Sequence, residues 1–371
     1  MARPQHGIKR LPTAESPLTR LATLLVVGAL GATGLASTAQ HPAGAARLSA
    51  AQQTAAPSVA PFVDARTRAA GRSTLRTPVH AAMPAKANPR RASAPKPARH
   101  VARASHAAPV RYIPTGTGIW IYEWRRTNHG DPQSIVRRAR HANLSTLYVR
   151  TGSSWDGFNG GTHLRRLLAA SRGTDVRVVA WDFPRLRHPG RDAYRLARAA
   201  RVRVAGGRHV AAVAPDIETP SEGTFNAGWR VRTYLRALRH FLPADVSILT
   251  AVPWPSRYRV GDYPYGIVAA HSDVLVPMAY WYNNRPADVT ARSIRYLRRF
   301  HRPVQPVGQG YDGRLDAPGL RHNNLSRQVP IFFRTAHQQG ARAVSLWSWQ
   351  AASPVVWNAL GRSHQWFNPH H

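Results

Sequence analysis

The chain has 371 residues, with 52 Lys and Arg against 17 Asp and Glu, and no cysteine. The absence of cysteine excludes a disulfide framework, a thiolate zinc site, an iron–sulfur cluster and a cysteine nucleophile. The formal charge of +35 divides into +13 over residues 1–110 and +22 over the remainder. With 43% hydrophobic residues and 11 tryptophans, the chain has the apolar material for a sizeable core.

The excess positive charge raises the question of nucleic-acid binding. All three lysines lie before residue 111, and the arginines beyond it are spread over every amphipathic stretch instead of forming one stripe. No recognition helix, zinc knuckle or aromatic RNA-binding motif accompanies the charge. We therefore expect no specific nucleic-acid partner. Attraction to anionic cell-wall polymers or to a membrane surface, through the basic N-terminal region, is the electrostatic expectation.

Residues 1–39 have the pattern of an export signal. A basic region that ends at Arg20 precedes the apolar run 21–30 and the small residues 31–36. Cleavage is expected after Ala39 or Ala45. The alternative is an uncleaved membrane anchor, for which this Gly- and Thr-containing run is short. The sequence thus predicts a secreted or cell-surface protein, with anchoring by the N-terminal segment as the alternative.

Residues 40–110 are predicted to be a disordered basic linker. They are rich in Ala, Pro, Ser, Thr, Arg and His, and they contain one acidic residue, Asp64, and one phenylalanine, Phe62. Such a composition cannot bury enough apolar surface to offset the entropy of ordering. The linker would join the export segment to the remaining domain, 111–371.

The domain 111–371 alternates between predicted strands and predicted helices. The strands are expected at 118–124, 146–151, 176–182, 210–218, 246–252, 274–280, 304–309 and 343–349. The helices are expected at 132–142, 164–172, 192–205, 228–241, 289–300 and 328–339. Eight strands separated by helices over about 250 residues predict an α/β fold, the (β/α)8 TIM barrel. A doubly wound sheet would have fewer strands and a Gly-rich phosphate loop, which follows none of these strands.

In such a barrel the functional groups lie at the carboxyl ends of the strands. Those positions are rich in aromatic and polar residues here. Sugar rings stack on aromatic faces while their hydroxyls take hydrogen bonds, so the strand ends predict a carbohydrate site. The substrate-binding candidates are Glu123, Asp182, Trp254, Tyr282, Gln309, Trp347 and Trp349.

Asp216 and Glu218 are the strongest candidates for catalysis. They lie two residues apart on the predicted fourth strand, so their side chains face the same way. Two adjacent carboxyls repel, which raises the pKa of one of them and keeps a proton for transfer to a leaving oxygen. The histidines form no metal-binding motif, and we expect no metal and no cofactor.

Three short motifs together resemble glycoside hydrolase family 18, the chitinase-like barrels. They are Asp216-Ile217-Glu218 on the fourth strand, Met278-Ala279-Tyr280 on the sixth, and Leu346-Trp347-Ser348-Trp349 on the eighth. That family ends its fourth strand in DxxDxDxE and its sixth in a Met-x-Tyr element, and it has a tryptophan on its eighth.

The resemblance implies a role for each matching residue. Glu218 corresponds to the acid/base, and Asp216 to the residue that orients the N-acetyl group of the substrate, whose acetamide then attacks the sugar. Tyr280 corresponds to a tyrosine that hydrogen-bonds this group. Trp349, or as a second choice Trp347, corresponds to the floor beneath the reacting sugar.

The two earlier aspartates of DxxDxDxE are Ala211 and Ala214 here, which is a departure from the family pattern. Asp216 therefore lacks the inner carboxyl partner that the family uses.

Glycoside hydrolase family 25, the muramidase-like barrels, is the second resemblance. It also has Asp-x-Glu on its fourth strand, and Trp349-Gln350 is similar to its eighth-strand element. Its first strand usually has Gly-Ile-Asp, where this chain has Gly118-Ile119-Trp120 and then Glu123. An uncharacterised group of glycosidase-like barrels with only the Asp-x-Glu core is a third assignment.

The expected function is therefore that of an exported glycoside hydrolase-like protein acting on an N-acetylated polysaccharide, either peptidoglycan or a chitin-like polymer. One alternative is a non-catalytic glycan-binding barrel at the cell surface, which Ala211 and Ala214 favour and Asp216-Ile217-Glu218 opposes. A second is a basic surface protein that adheres through its charge.

Overall fold

The structure, a computed structural model, describes residues 110–315 and 324–367. The predicted export segment 1–39 and nearly all of the predicted linker 40–110 lie outside the described residues and stay predictions. Within the described ranges, no helix combines the length and the apolar character needed to cross a membrane.

Nine strands and eight α-helices make up the described part of the chain. The strands are β1 (Gly116–Ile121), β2 (Leu144–Ser153), β3 (Gly157–Phe158), β4 (Arg177–Phe183), β5 (Ala212–Pro215), β6 (Ser247–Pro253), β7 (Val274–Ala279), β8 (Val307–Gln309) and β9 (Ala343–Trp347). The helices are α1 (Pro132–His141), α2 (Gly161–Ala170), α3 (Pro189–Ala200), α4 (Gly228–Phe241), α5 (Tyr265–His271), α6 (Pro286–Arg298), α7 (Leu325–Gln338) and α8 (Pro354–Phe367).

Eight of the strands are parallel and close into a barrel, which confirms the predicted (β/α)8 fold. Their order around the barrel is β1, β2, β4, β5, β6, β7, β8 and β9, and β1 pairs with both β2 and β9. Ile119 of β1 shows the closure, because it lies opposite Leu147 on one side and Leu346 on the other. The two-residue β3 is a short antiparallel addition to the end of β2.

Alternation along the strands divides the core into two layers. On β1, Ile119 and Ile121 pack in the large outer layer between the strands and the helices, whereas Trp120 packs inside the barrel. The outer layer buries the apolar faces of the helices, and most of the helix arginines therefore lie on the exposed faces. The carboxyl ends of all eight strands consequently meet at one end, the mouth of the barrel.

The barrel interior is filled by large rings on one side and small side chains on the other. Trp120 stacks on Tyr148 with ring centroids 4.5 Å apart. Trp181 crosses the interior, and its indole Nε1 donates to the carbonyl of Ile121 at 3.0 Å. The opposite strands β5 and β6 contribute Ala212, Ala214 and Ala251 to the same cluster. Because the rings occupy the space, the interior is a packed core below the mouth.

The boundaries differ from the sequence prediction in places that have a local cause. Predicted helix 192–205 spans Pro189–Ala200 in the structure, and Val204, within the predicted range, is extended with a φ of −123° and a ψ of 174°, which a helix cannot accommodate. The sequence analysis did not predict α5 or α8. The first has only seven residues, and the second contains Gly361 in a segment with few polar positions to mark a helical period.

Candidate active site

Two carboxyl side chains stand at the mouth of the barrel, directly after β5. Ala212 and Ala214 of β5 face the barrel interior, whereas Ile217 packs in the outer layer. Asp216 and Glu218 therefore continue the interior-facing row. Only 7% of Asp216 and 8% of Glu218 is exposed. Both carboxyls thus lie where water screens charge poorly.

The backbone of this segment is fixed from both sides. The N–H of Asp216 donates to the carbonyl of Asp182 at 3.0 Å, and the N–H of Ile217 donates to the carbonyl of Ala251 at 3.1 Å. The hydroxyl of Tyr263 donates to the carbonyl of Ile217 at 2.6 Å. Backbone pairing with both neighbouring strands thus extends past the end of β5. The sheet therefore holds the segment that carries the two carboxyls, which do not lie on a free loop.

Burial and repulsion by neighbouring carboxylates raise the pKa values of both carboxyls, so each keeps its proton to a higher pH than usual. Burial raises the pKa of Asp216, the Asp182 carboxylate raises it further, and the Arg150 guanidinium opposes the rise. Burial raises the pKa of Glu218 well above its usual value, and the carboxylates of Asp216 and Glu222 add to the rise. This rise favours the protonated form of Glu218, which is the form able to donate a proton.

Glu222 is a third carboxyl at the mouth, and the sequence analysis does not single it out. It ends the short 3-10 turn Pro220–Glu222 in the loop after β5. Burial raises the pKa of Glu222 to about 7, Arg259 opposes the rise, and Asp216 adds to it. Glu222 lies four residues after Glu218 in the sequence. This spacing does not predict where the side chain lies, because the sequence does not specify the path of the loop.

Asp216 has an atom that is ready to accept a hydrogen bond. Its Oδ1 is buried and has no partner among the residues that the structure describes. A buried carboxylate oxygen without a donor is costly, so this atom marks a position where a ligand donor would be accommodated. An amide N–H is such a donor.

Trp347, at the end of β9, is the aromatic side chain that lies over the barrel interior. It stacks on Tyr122 with ring centroids 5.5 Å apart and meets Trp181 edge-on at 5.4 Å. Its side chain is partly exposed, unlike the fully buried ring of Trp120 beneath it, 6.1 Å away. Trp347 therefore presents an aromatic face at the mouth, which is the surface that a sugar ring requires.

Trp349 does not lie at the mouth, contrary to the expectation that it is the first choice for the floor beneath the reacting sugar. It belongs to the outer layer, is 4% exposed, and packs edge-on against Trp357 of α8 at 4.6 Å. The Arg138 guanidinium of α1 lies 5.7 Å from its ring centroid. Since Trp347 ends β9 and Trp349 opens the following 3-10 turn, the alternation of the strand does not extend to Trp349.

A tyrosine cluster borders the other side of the mouth. Tyr282 and Tyr311 join their hydroxyls at 2.9 Å. Tyr280, partly buried at the end of β7, meets Tyr311 edge-on with centroids 6.2 Å apart. Gln309 is fully buried beneath them, where its Oε1 accepts from the Tyr282 N–H at 3.0 Å and its Nε2 donates to the Tyr311 carbonyl at 3.3 Å. Gln309 thus holds the cluster in position and offers no free group to a ligand.

Asp182 faces away from the barrel interior, contrary to the expectation that it binds substrate. Its neighbours Trp181 and Phe183 occupy the interior-facing positions of β4. Asp182 is fully buried against α3, where Arg195 donates to its two oxygens at 2.6 and 2.9 Å. Arg195 also bonds Asp192 at 2.6 Å. Asp182 therefore fastens a helix to the barrel, and it reaches the site only through its charge.

Two other predicted substrate-binding residues also lie outside the interior. Glu123 lies past the end of β1, where its side chain is partly exposed and 3.5 Å from Arg126. Trp254 packs against the outer layer and lines a cavity with Asn284 and Asp288 near the start of α6. Neither side chain faces the two carboxyls.

Arg150 is a cation at the mouth that sequence patterning did not identify among the 49 arginines. It lies on β2 and forms an ion pair with Asp156 at 2.7 Å. Its guanidinium lies 5.9 Å from the centroid of Trp181. It favours the ionised form of Asp216. Arg150 thus influences the charge of Asp216, which an inner carboxyl would adjust in the chitinase-like barrels. Within the described residues, no group of three or more His, Asp or Glu side chains could hold a metal ion.

The barrel is similar to solved glycoside hydrolase structures. An endo-1,4-β-mannanase from Rhizomucor miehei aligns with a TM-score of 0.52 and 6% identity, covering 70% of this chain and 97% of that one. An endo-β-1,4-mannanase from Thermotoga petrophila aligns with a TM-score of 0.50 and 9% identity, over 69% and 77% of the two chains.

A third similar structure is the C-terminal domain of a Desulfitobacterium hafniense DCB-2 protein with a provisional chitinase assignment. It aligns with a TM-score of 0.50 and 12% identity, over 68% of this chain and 99% of that domain. No family model matches the sequence, and no protein of curated function matches it significantly. At these identities the similarity shows the fold alone, which is the (β/α)8 barrel.

Proposed function

We propose that this protein is a glycoside hydrolase that cleaves an N-acetylated polysaccharide, peptidoglycan or a chitin-like polymer. The observation that carries the proposal is the pair Asp216 and Glu218. Asp216 has a buried acceptor oxygen without a partner among the described residues, and burial and the neighbouring Asp216 raise the pKa of Glu218 well above its usual value. The fold supports the same conclusion, because (β/α)8 barrel enzymes have their active sites at the carboxyl ends of the strands, where these two residues lie.

In the proposed reaction, the carboxyl of Glu218 gives its proton to the glycosidic oxygen while the bond from that oxygen to the anomeric carbon breaks. The carbonyl oxygen of the substrate's own acetamide bonds to the anomeric carbon. Asp216, ionised, accepts a hydrogen bond from the acetamide N–H at Oδ1, the atom that has no partner among the described residues. Water then adds to the anomeric carbon and gives a proton to the Glu218 carboxylate. The bond between the acetamide oxygen and the anomeric carbon breaks, and the acetamide is restored.

The remaining side chains of the mouth would position the sugar. Trp347 offers the aromatic face beneath the reacting ring, and Tyr280 borders the opposite wall. Burial and the Asp182 carboxylate raise the pKa of Asp216 to about 7, and Arg150 opposes the rise, which favours the arrangement in which the single proton of the pair lies on Glu218. This division of one proton between two neighbouring carboxyls is the acid/base assignment that unequal surroundings produce.

A non-catalytic glycan-binding barrel is the second candidate function. The observation that favours it is Ala214, which lies beside Trp181 in the register of the sheet, so no inner carboxyl adjusts Asp216. Such a protein would keep the aromatic surface of Trp347 and would retain a polymer without cutting it.

Cleavage of matched polymers tests the proposal. The purified chain is incubated with an N-acetylated polymer and with the same polymer after chemical deacetylation, and the released reducing ends are counted. The proposed reaction requires cleavage of the acetylated polymer alone, and Asp216→Asn should slow it without abolishing binding. Cleavage of both polymers at equal rates would overturn the acetamide mechanism, and binding without cleavage of either would favour the non-catalytic barrel.

We also propose that residues 1–39 export the protein and that residues 40–110 connect the barrel to the export segment. The basic and then apolar order of residues 1–36 supports this proposal. Fractionation of cells that produce the full chain tests it, since a chain that remains entirely in the cytoplasm would contradict export.

A further inference from the structure

An arginine–aromatic patch lies beside the two carboxyls. We define it by Trp155, Arg185, Arg187 and Phe225, from the loops that follow β2, β4 and β5, and by Arg230 in the first turn of α4. Trp155 and Phe225 are large apolar rings left 43% and 41% exposed. All five residues follow the carboxyl ends of strands, so the patch is at the mouth.

The patch is continuous with the site. Trp155 stacks on Phe183 of the interior cluster with centroids 5.2 Å apart. Asn226, the residue after Phe225, donates from its side-chain amide to the carbonyl of Glu218 at 3.1 Å. One loop therefore carries both the proton donor and the centre of the patch.

Three guanidinium groups surround the ring of Phe225. Arg185, Arg187 and Arg230 lie 5.6, 5.7 and 5.8 Å from its centroid. Arg185 also lies 4.9 Å from the centroid of Trp155. Among the described residues, no carboxylate lies within ion-pair distance of any of the three. Three like charges on one exposed ring repel each other, and the contacts with the ring offset only part of that repulsion.

The backbone beside these arginines has an uncommon conformation. Leu186, between two of the arginines, is fully buried and has a φ of 60°, in the left-handed region that a leucine rarely adopts. Asp192 holds it by accepting from its N–H at 2.9 Å. Arg230 donates to the carbonyls of Leu186 and Arg187 at 2.9 and 2.8 Å. A strained residue that is held from two sides beside a site indicates a functional geometry.

We propose that the patch binds carboxylate groups carried by the glycan, so that the preferred substrate is an acidic N-acetylated polysaccharide and not a neutral one. This inference rests on the proposed function of the neighbouring carboxyls. Guanidinium groups bind carboxylates through paired hydrogen bonds, and Arg185 and Arg187 have donors directed at no carboxylate of the described chain. The flanking rings of Trp155 and Phe225 provide stacking surface for the sugars that carry those groups.

Binding, rather than cleavage, tests the proposal, so that its failure is separate from failure of the catalytic assignment. The probes are peptide-free peptidoglycan strands, which carry lactyl carboxylates, and the same strands after their carboxyls are converted to methylamides. The full chain should bind the acidic strands at least about tenfold more tightly than the amidated strands. Arg185→Ala/Arg187→Ala should reduce this preference to about twofold or less while leaving binding to amidated strands unchanged.

Arg299→Ala is the matched control. Arg299 also lies over an aromatic ring, that of Tyr296 at 4.2 Å, but it follows the end of α6 at the opposite end of the barrel. It should keep the full preference for acidic strands. Equal binding of both strands by the unaltered chain would overturn the proposal, as would an undiminished preference in the double variant. Tighter binding of a glycerol phosphate polymer than of acidic strands would also overturn it, because the ligand group would then be a phosphate.

Discussion

Trp181 lies directly beside Ala214 in the register of β4 and β5. Both side chains belong to the interior cluster, and the indole of Trp181 donates to the carbonyl of Ile121 on β1, the next strand beyond β2. The position where chitinase-like barrels have an inner aspartate is therefore an alanine in contact with an aromatic interior. The arrangement leaves Asp216 to be adjusted by Arg150 and Asp182 instead.

This relationship predicts that the family residue cannot simply be restored. Ala214→Asp would place a carboxylate in a packed aromatic interior without a cationic partner, and it should lower the free energy of unfolding by about 3 kcal/mol or more. Chemical denaturation measures the loss. Ala214→Ser, which adds a hydroxyl but no charge, should cost clearly less. Equal stability of Ala214→Asp and the unaltered chain would show that the interior has room and a partner for a charge.

The two tryptophans after β9 should respond differently to truncation. Trp347→Ala should weaken glycan binding by roughly 1–3 kcal/mol, with a small effect on stability, because its ring is partly exposed at the mouth. Trp349→Ala should lower the free energy of unfolding by about 3–5 kcal/mol and leave the affinity of the folded protein unchanged. Calorimetry and denaturation separate these outcomes, and the reverse assignment of the two effects would contradict the placement.

Glu222 should make stability depend on pH. Its pKa rises from its usual value to about 7 in the folded chain, so the folded state holds a proton that the unfolded state releases. The stabilisation by this proton is complete below the unfolded pKa and is lost as the pH rises through about 7. Glu222→Gln should therefore be more stable than the unaltered chain at pH 8, by about 1 kcal/mol after allowance for solvent screening. At pH 4 the two should unfold alike, and a gap of the same size there would contradict this explanation.

Arg195 and Asp182 should contribute to the stability of the fold and should not contact the substrate. Arg195→Ala would leave the buried carboxylate of Asp182 without its two hydrogen bonds, and it should lower the free energy of unfolding by about 3–5 kcal/mol. Thermal unfolding measures this loss. Arg198→Ala, on the same helix and over Phe158, is a control that should cost less than about 1 kcal/mol. If Arg195→Ala unfolds like the control, the ion pair does not fasten α3 to the barrel.

The fold was within reach of sequence reasoning because its signal is repeated eight times. Apolar runs such as 274–280 recur at intervals that only a strand–helix repeat explains, and an error of two residues at one end does not change the count. The orientation of Asp216 and Glu218 was predictable for a related reason, since pairing with both neighbouring strands continues just past the end of β5 and preserves the period of two there.

Positions just beyond the strands were harder to predict. Trp349 is two residues after Trp347, yet the chain has already entered a 3-10 turn, so alternation no longer says which way it points. Asp182 lies on a strand and alternation alone places it outside, but its polar character at a strand end suggested a binding role. Glu222 and the patch around Phe225 depend on the path of loops, which no residue pattern in the sequence specifies.

The most direct test of the account is the rate of glycan cleavage by Glu218→Gln, with Glu222→Gln as the matched control from the same loop. Glutamine keeps the shape of the Glu218 side chain but has no proton to transfer, so cleavage of an N-acetylated polymer should fall by about 10²–10⁴-fold while binding is retained. Glu222→Gln should retain cleavage within about tenfold, because Glu222 acts on Glu218 only through charge. Cleavage by Glu218→Gln at the rate of the unaltered chain would contradict the assignment of Glu218 as the proton donor.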